Sequence, residues 1–190
     1  MREVIENCFL QSIEAKRNVV ENCIPDIESA ANLLINALKD GKKVLVAGNG
    51  GSASQASHFA GELVGRFEKE RRGLPCIALT TDNSVVTAWT NDYDFESLFE
   101  RQVDSFGKEG DIFFGISTSG NSGNVIKACN KAKELGMKNI VLLGRDGGKM
   151  KDMDLDCKIT VPHNNTARIQ ESHITIIHIL CKLIEEEVFT

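Results

Sequence analysis

The sequence predicts an α/β protein: a three-layer sandwich in which a five-stranded parallel sheet is covered by helices on both faces, with a helical pair in front of it. Three observations predict this. Short, continuous apolar runs alternate with longer segments of helical periodicity, the pattern of a parallel sheet with crossover helices. The apolar runs lack polar alternation, as strands buried on both faces do. Turns rich in glycine and serine follow two of these runs directly and open the next helix. The 190 residues suffice for one domain with a full core. Within it, a helical segment (1–40) precedes the α/β core (41–190).

Residues 2–22 place Val4, Ile5, Cys8, Phe9, Ile13, Val19 and Val20 close to a 3.6-residue period and predict a helix. A second helix runs over 25–41: Pro25 suits its first turn and Gly41 ends it. This pair packs either on its own domain or on another subunit. KKVLVAG (42–48) is the first strand, and a helix follows from Ser52 to Phe67. LPCIALT (74–80) is the second strand, and 83–92 and 95–107 are helical. Trp89 and the Val85–Val86 pair are packing residues. DIFFGIS (111–117) is the third strand, and the helix over 121–136 ends at Gly136. KNIVLLG (138–144) and the weaker DCKITVP (156–162) are the last strands, and a long helix over 166–189 closes the chain. The order is that of Rossmann-like and flavodoxin-like sheets, whose ligands bind beyond the carboxyl ends of the strands.

Composition narrows the function. Apolar residues make up 42% and charged residues 26%, as in soluble globular proteins. A formal net charge of −5 argues against a nucleic-acid-binding surface, while a local site can still hold a phosphorylated metabolite. The six cysteines form no C-x-x-C pair, which argues against a thiolate zinc site and points to reduced thiols in a cytoplasmic protein. The first residues, MREVIENCFLQS, lack the apolar stretch of a signal peptide. No apolar run reaches the length of a membrane helix, so no membrane partner is expected.

The segment GNGGSASQASHFAGE (48–62) leads from the first strand into a helix. Its glycines allow another surface to approach the chain, and a helix N-terminus is a natural anion site. Gly48, Gly50 and Ala53 match G-x-G-x-x-A, but no acidic residue ends the second strand at the required spacing, so nicotinamide binding is not supported. A more specific signal follows the third strand. In STSGNSGN, Ser117, Thr118, Ser119 and Ser122 offer four hydroxyls beside Gly120 and Gly123. One serine suffices for a helix cap; four hydroxyls point to a phosphate.

His58 and Glu62, four apart, share a helix face among small apolar residues that leave room for a ligand. In the last helix, Gln170 and His178 are separated by roughly 12 Å along the axis, awkward for one ion unless the site is shared between chains. By itself His178, within ITIIHIL, reads as a core histidine with a partner. His163 and His173 read as structural or peripheral, and Asp111 lies at the wrong end of its strand for chemistry.

GNGGSASQASHFAGEL, GISTSGNSGNVIKA, GRDGGKM and ARIQESHITIIHIL together resemble the sugar isomerase (SIS) domain, and more narrowly the phosphoheptose isomerase family, over nearly the whole chain. The resemblance implies a homotetramer with active sites shared between subunits. It implies Ser117, Ser119 and Ser122 as the phosphate clamp, with Asn49, Gly50, Gly51 and Ser52 lining the sugar site and Asn91 and Asp92 touching substrate. It further implies that His58, Glu62, Gln170 and His178 bind zinc or lie at the reacting carbons. Ala167 departs from the pattern, since some members carry an aspartate there.

The implied reaction interconverts a ketose and an aldose phosphate through an enediol. It needs a base at carbon and an acid at oxygen. Glu62 is the expected base and His178 the group that moves protons at oxygen. A carboxylate firmly bound to zinc is a poor base, so the two roles of Glu62 are in tension. Two alternatives stand beside this reading. One is a non-catalytic SIS tetramer that binds the bacterial replication initiator; the other is an isomerase of a different sugar phosphate. The presence of both Glu62 and His178 favours catalysis.

Overall fold

Helices and strands alternate through the chain in the expected order. The structure, a computed structural model, describes residues 1–189. Helices α1 (Arg2–Asn22) and α2 (Ile24–Lys39) come first. Then follow β1 (Val44–Gly48), α3 (Gly51–Val64), β2 (Cys76–Ala78), α4 (Asn83–Asp92) and α5 (Leu98–Phe106). The remainder comprises β3 (Ile112–Ser117), α6 (Gly123–Glu134), β4 (Lys138–Gly144), a 3₁₀ turn (Gly148–Asp152), β5 (Cys157–Val161) and α7 (Thr166–Val188).

All strand pairs are parallel, in the order β2-β1-β3-β4-β5. This is the flavodoxin-like order, and the chain reverses its direction of travel across the sheet between β1 and β3. Gly48 and Ile116 are register partners there, so the turns that follow β1 and β3 emerge side by side. Sheet side chains divide by alternation. Val44, Val46, Phe114 and Leu142 pack with α2, α3 and α7, whereas Leu45, Phe113, Val141 and Leu143 pack with α5 and α6. Phe59 of α3 is fully buried against Phe114, with ring centroids 5.2 Å apart. Burying such a side chain stabilises the fold by about 1.5–3 kcal/mol.

Several boundaries differ from expectation for local reasons. Strand β2 is short: Pro75 has no N–H to donate, and only its carbonyl joins the ladder, accepting from Val44. Helix α3 stops at Val64 instead of Phe67, because the amides of Phe67, Glu68 and Lys69 donate to the Glu185 carboxylate. Helix α5 starts at Leu98 because Asp94 accepts from the Ser97 amide and holds the preceding residues in a turn. Helix α6 starts at Gly123, with Ser122 as its N-cap.

On α1 only Ala15 and Val19 are buried. Val4, Ile5, Phe9, Leu10, Ile13 and Val20 form an apolar stripe that this chain leaves uncovered, with Phe9 69% exposed. Asp111 binds Lys43 and the amides of Lys43 and Lys108 at the amino end of the sheet, a structural role. No helix among the described residues is long and apolar enough to cross a membrane.

Candidate active site

The rim above β1 and β3 is built from two turns. In the first, Gly50 caps α3 and Gly51 opens it. A Cβ on Gly51 would lie 2.3 Å from Nε2 of Gln170, so the glycine lets that side chain pack in its present place. Ser52 is buried, packed where a Cβ on Gly48 would stand. In the second turn, the Ser117 and Ser122 hydroxyls lie 2.8 Å apart, and the Ser119 hydroxyl accepts from the Asn121 amide. Thr118 is half-buried beside them. Gly120 is left-handed (φ 64°) and packs on the Gly147 carbonyl, so the GRDGG segment backs the serine turn. The Ser122 side chain makes no cap hydrogen bond to α6, and of the first amides of that helix the Val125 N–H donates to Asn124 Oδ1 at 3.0 Å. Glu96 lies beside Gly123 and pairs with Lys127.

One bridge joins the two turns. Asn49 and Asn124 exchange both amide hydrogen bonds, each 2.9 Å. Next to it, Gly48, Asn49, Gly50, Thr80 and the side chains of Val86, Phe95 and Phe99 enclose a cleft of about 160 Å³.

A second locus lies along the seam where α3 packs on α7. His58 Nε2 is 2.9 Å from Glu62 Oε1 and 3.2 Å from His178 Nε2. One ligand atom from each of the three lies within 4.8 Å of the others, which makes them a candidate metal-binding group. Either a shared proton or a cation reconciles three such atoms at this spacing. The ring of Phe67 stacks on His178, with centroids 5.6 Å apart. The cluster opens to solvent, with the His58 side chain 44% exposed and Glu62 24%.

A SIS domain model matches residues 9–144. The phosphoheptose isomerase of Geobacter metallireducens is 51% identical over 189 residues, covering 100% of both chains. The chain belongs to the phosphoheptose isomerase family of SIS-domain proteins. Its relative in Helicobacter pylori is 51% identical over 96% of this chain and 95% of that one. The solved phosphoheptose isomerase of Neisseria gonorrhoeae has the same fold, with a TM-score of 0.93 at 45% identity over 97% of this chain and 98% of that one.

Against that family pattern, the structure unites His58, Glu62 and His178 across 120 residues of sequence. Gln170 is held differently. Its side-chain amide packs on Gly51 at the rim, and the residue is not part of the His58–Glu62–His178 cluster. Asn91 and Asp92 hydrogen-bond to each other at the exposed end of α4. Ala167 is exposed. His173 is fully buried, with Nε2 2.8 Å from the Leu143 carbonyl; burial pushes its pKa down to about 4, against the smaller opposing effect of that bond. It braces α7 against β4. All six cysteines are free thiols, and only Cys8 is exposed.

Four residues escape sequence reasoning. Asn124, at the end of the STSGNSGN turn, signals nothing until Asn49 is found opposite it. Phe67 lies in the charged run that follows α3. Arg71 and Glu185 form a buried ion pair, and each resembles its exposed, charged neighbours in EKERR and IEEE.

Proposed function

We propose that this chain is an aldose–ketose isomerase that converts sedoheptulose 7-phosphate to D-glycero-D-manno-heptose 7-phosphate. That reaction opens the synthesis of a nucleotide-activated heptose for lipopolysaccharide or a similar surface glycan. Full-length identity of 51% to a phosphoheptose isomerase supports the substrate. The observation that carries the chemistry is the meeting of the Glu62 carboxylate with the His58 and His178 imidazoles on one seam.

Ser117, Thr118, Ser119 and Ser122, with the first amides of α6, grip the phosphate. This anchors the sugar far from its reacting end and supplies positioning energy. Asn49, Gly50, Gly51, Ser52, Asn91, Asp92 and Gln170 contact the sugar hydroxyls. Glu62 takes the proton from one of the two reacting carbons and returns it to the other. His178 moves the proton between their oxygens. The 2.9 Å contact with His58 orients the Glu62 carboxylate.

Zinc fits the donor set. Nitrogen ligands about 2 Å from a tetrahedral zinc stand roughly 3.3 Å apart, and the two imidazole Nε2 atoms here are 3.2 Å apart. His58, Glu62 and His178 would hold the ion, with Gln170 of a neighbouring copy as a fourth ligand. Bound zinc would polarise the substrate carbonyl. As a tight zinc ligand Glu62 would lose basicity, so the base and ligand roles belong to different states of the site.

The assembly we propose is a homotetramer with active sites at subunit interfaces. Residues 1–40 form its oligomerisation segment within a single SIS domain spanning 1–190. The uncovered stripe from Val4 to Val20 on α1 supports this, since apolar faces of that extent mark interfaces. Six free thiols and the lack of a membrane-crossing helix among the described residues support a cytoplasmic protein.

The test is incubation with sedoheptulose 7-phosphate, with and without a chelator, followed by NMR for the aldose. Aldose formation is expected; its loss with chelator and return with zinc identifies the metal. No aldose under any metal condition overturns the reading.

A further inference from the structure

Glu185 lies two turns beyond His178 on α7 and is 1% exposed. A buried carboxylate is costly unless donors meet its charge, and four donors meet this one. Oε1 accepts from the Phe67 amide at 2.9 Å and from Arg71 Nε at 2.8 Å. Oε2 accepts from the amides of Glu68 at 2.8 Å and Lys69 at 2.9 Å. None of these groups touches the rim or has a part in the proton transfers. A buried ion pair is often no more stabilising than apolar side chains of the same volume, so its geometry is the feature to explain.

The geometry has two arms, and both end at the seam. The backbone of Phe67 is held by the carboxylate, and its ring stacks on His178. Arg71, with a side chain 1% exposed, reaches the other way. Its guanidinium donates to the carbonyls of Glu62 at 2.7 Å and Leu63 at 2.8 Å. Those carbonyls close α3 and lack helical partners of their own.

We infer that Glu185 is a positioning residue for the isomerase site: through Arg71 it sets the end of α3 that carries Glu62, and through Phe67 it sets the ring of His178. The inference rests on the isomerase reading above. Glu185 touches neither substrate nor ligand atoms; it fixes where two reacting groups stand relative to each other. Supporting groups of this kind change activity or metal affinity by about 10–100-fold when altered, because small displacements of reacting groups are costly. The phosphate grip lies at the rim and is independent of this network.

The experiment uses the full chain and three variants, reading turnover of sedoheptulose 7-phosphate, thermal unfolding, and long-range ¹H–¹⁵N NMR spectra of the imidazoles. Glu185→Gln keeps the shape and removes the charge; kcat is expected to fall about tenfold or more with KM within about twofold. The ring signals of His58 and His178 are expected to move in an otherwise native spectrum. Phe67→Leu leaves the Glu185 bonds intact, and is expected to lower kcat a few-fold and move the His178 signals alone. Arg71→Lys keeps the charge but loses the fork, and is expected to lower kcat without changing KM. If Glu185→Gln does not fold, the other two variants decide. Folded variants with wild-type kcat and unmoved ring signals overturn the inference. So does activity that falls only with the folded fraction, or a defect confined to KM. If the wild type fails to isomerise the sugar, the isomerase reading fails, and the ring signals alone still decide the positioning role.

Discussion

The rim and the α3–α7 seam divide the site between them, and they are built by opposite means. The rim is made of neighbours in sequence: GNGG after β1 and STSGNSG after β3, each a turn running into a helix. The Asn49–Asn124 exchange and the GRDGG backing add what those turns cannot supply alone. The seam is made of residues far apart in sequence, with His58 meeting His178 and Arg71 meeting Glu185. A turn can be rigid through its own backbone. A pair of side chains on two helices is only as well placed as the packing between those helices, so the seam has a buried network behind it and the rim has a sheet edge beneath it.

Acid separates the two most strongly. His173 braces α7 to β4 below the rim, and its pKa is lowered to about 4 from 6.5. The unfolded chain therefore binds the proton first, and stability falls as pH drops from 6.5 to about 4. Glu185 braces the seam. Burial tends to raise its pKa, but the Lys69, Phe67 and Glu68 amides and Arg71 prevail and bring it to about 2 from 4.5. Its contribution is complete above pH 4.5 and is lost as pH falls to about 2. Each step is on the order of 3 kcal/mol. Urea unfolding at successive pH values, with His173→Gln expected to flatten the upper step and Glu185→Gln the lower, checks this.

Glu62→Gln comes next. Turnover is expected to fall by about 100-fold or more, while inorganic phosphate still binds at the rim, as read by its protection against thermal unfolding. Near-normal turnover would remove Glu62 from the proton transfer. Ser122→Ala tests the other half: KM is expected to rise about tenfold, the size of one hydrogen bond to a charged group, with kcat changed much less in steady-state assays. A fall in kcat alone would place Ser122 with the seam. The smallest effect expected is from Asn124→Ala, which leaves the Asn49 amide unpaired. That costs about 1–2 kcal/mol and lowers the melting temperature by roughly 2–8 °C, measured by calorimetry.

Much of this molecule is legible in its sequence. Apolar runs and 3.6-residue periods locate the strands and helices, because burial on one face or two is written into adjacent residues. The serine turn stands out because four hydroxyls exceed what a helix cap needs, and the His58–Glu62 pair because four residues make one helical turn. His178 is less legible: its surroundings in ITIIHIL suggest a buried histidine, and only the packing of α7 on α3 turns it toward His58. The end of α3 is misjudged by three residues for the same reason, since the amides that would extend it bond to a residue more than a hundred positions away.

The sequence by itself determined the α/β class, the two glycine- and serine-rich turns and one half of the His58–Glu62–His178 cluster, because each depends on chain neighbours within a few residues. Tertiary structure alone decided the strand order that brings the two turns together, the meeting of His178 with Glu62, and the burial of Arg71 with Glu185. Those depend on which helix faces which, and that is set by the summed packing of the core, not by any short stretch of chain.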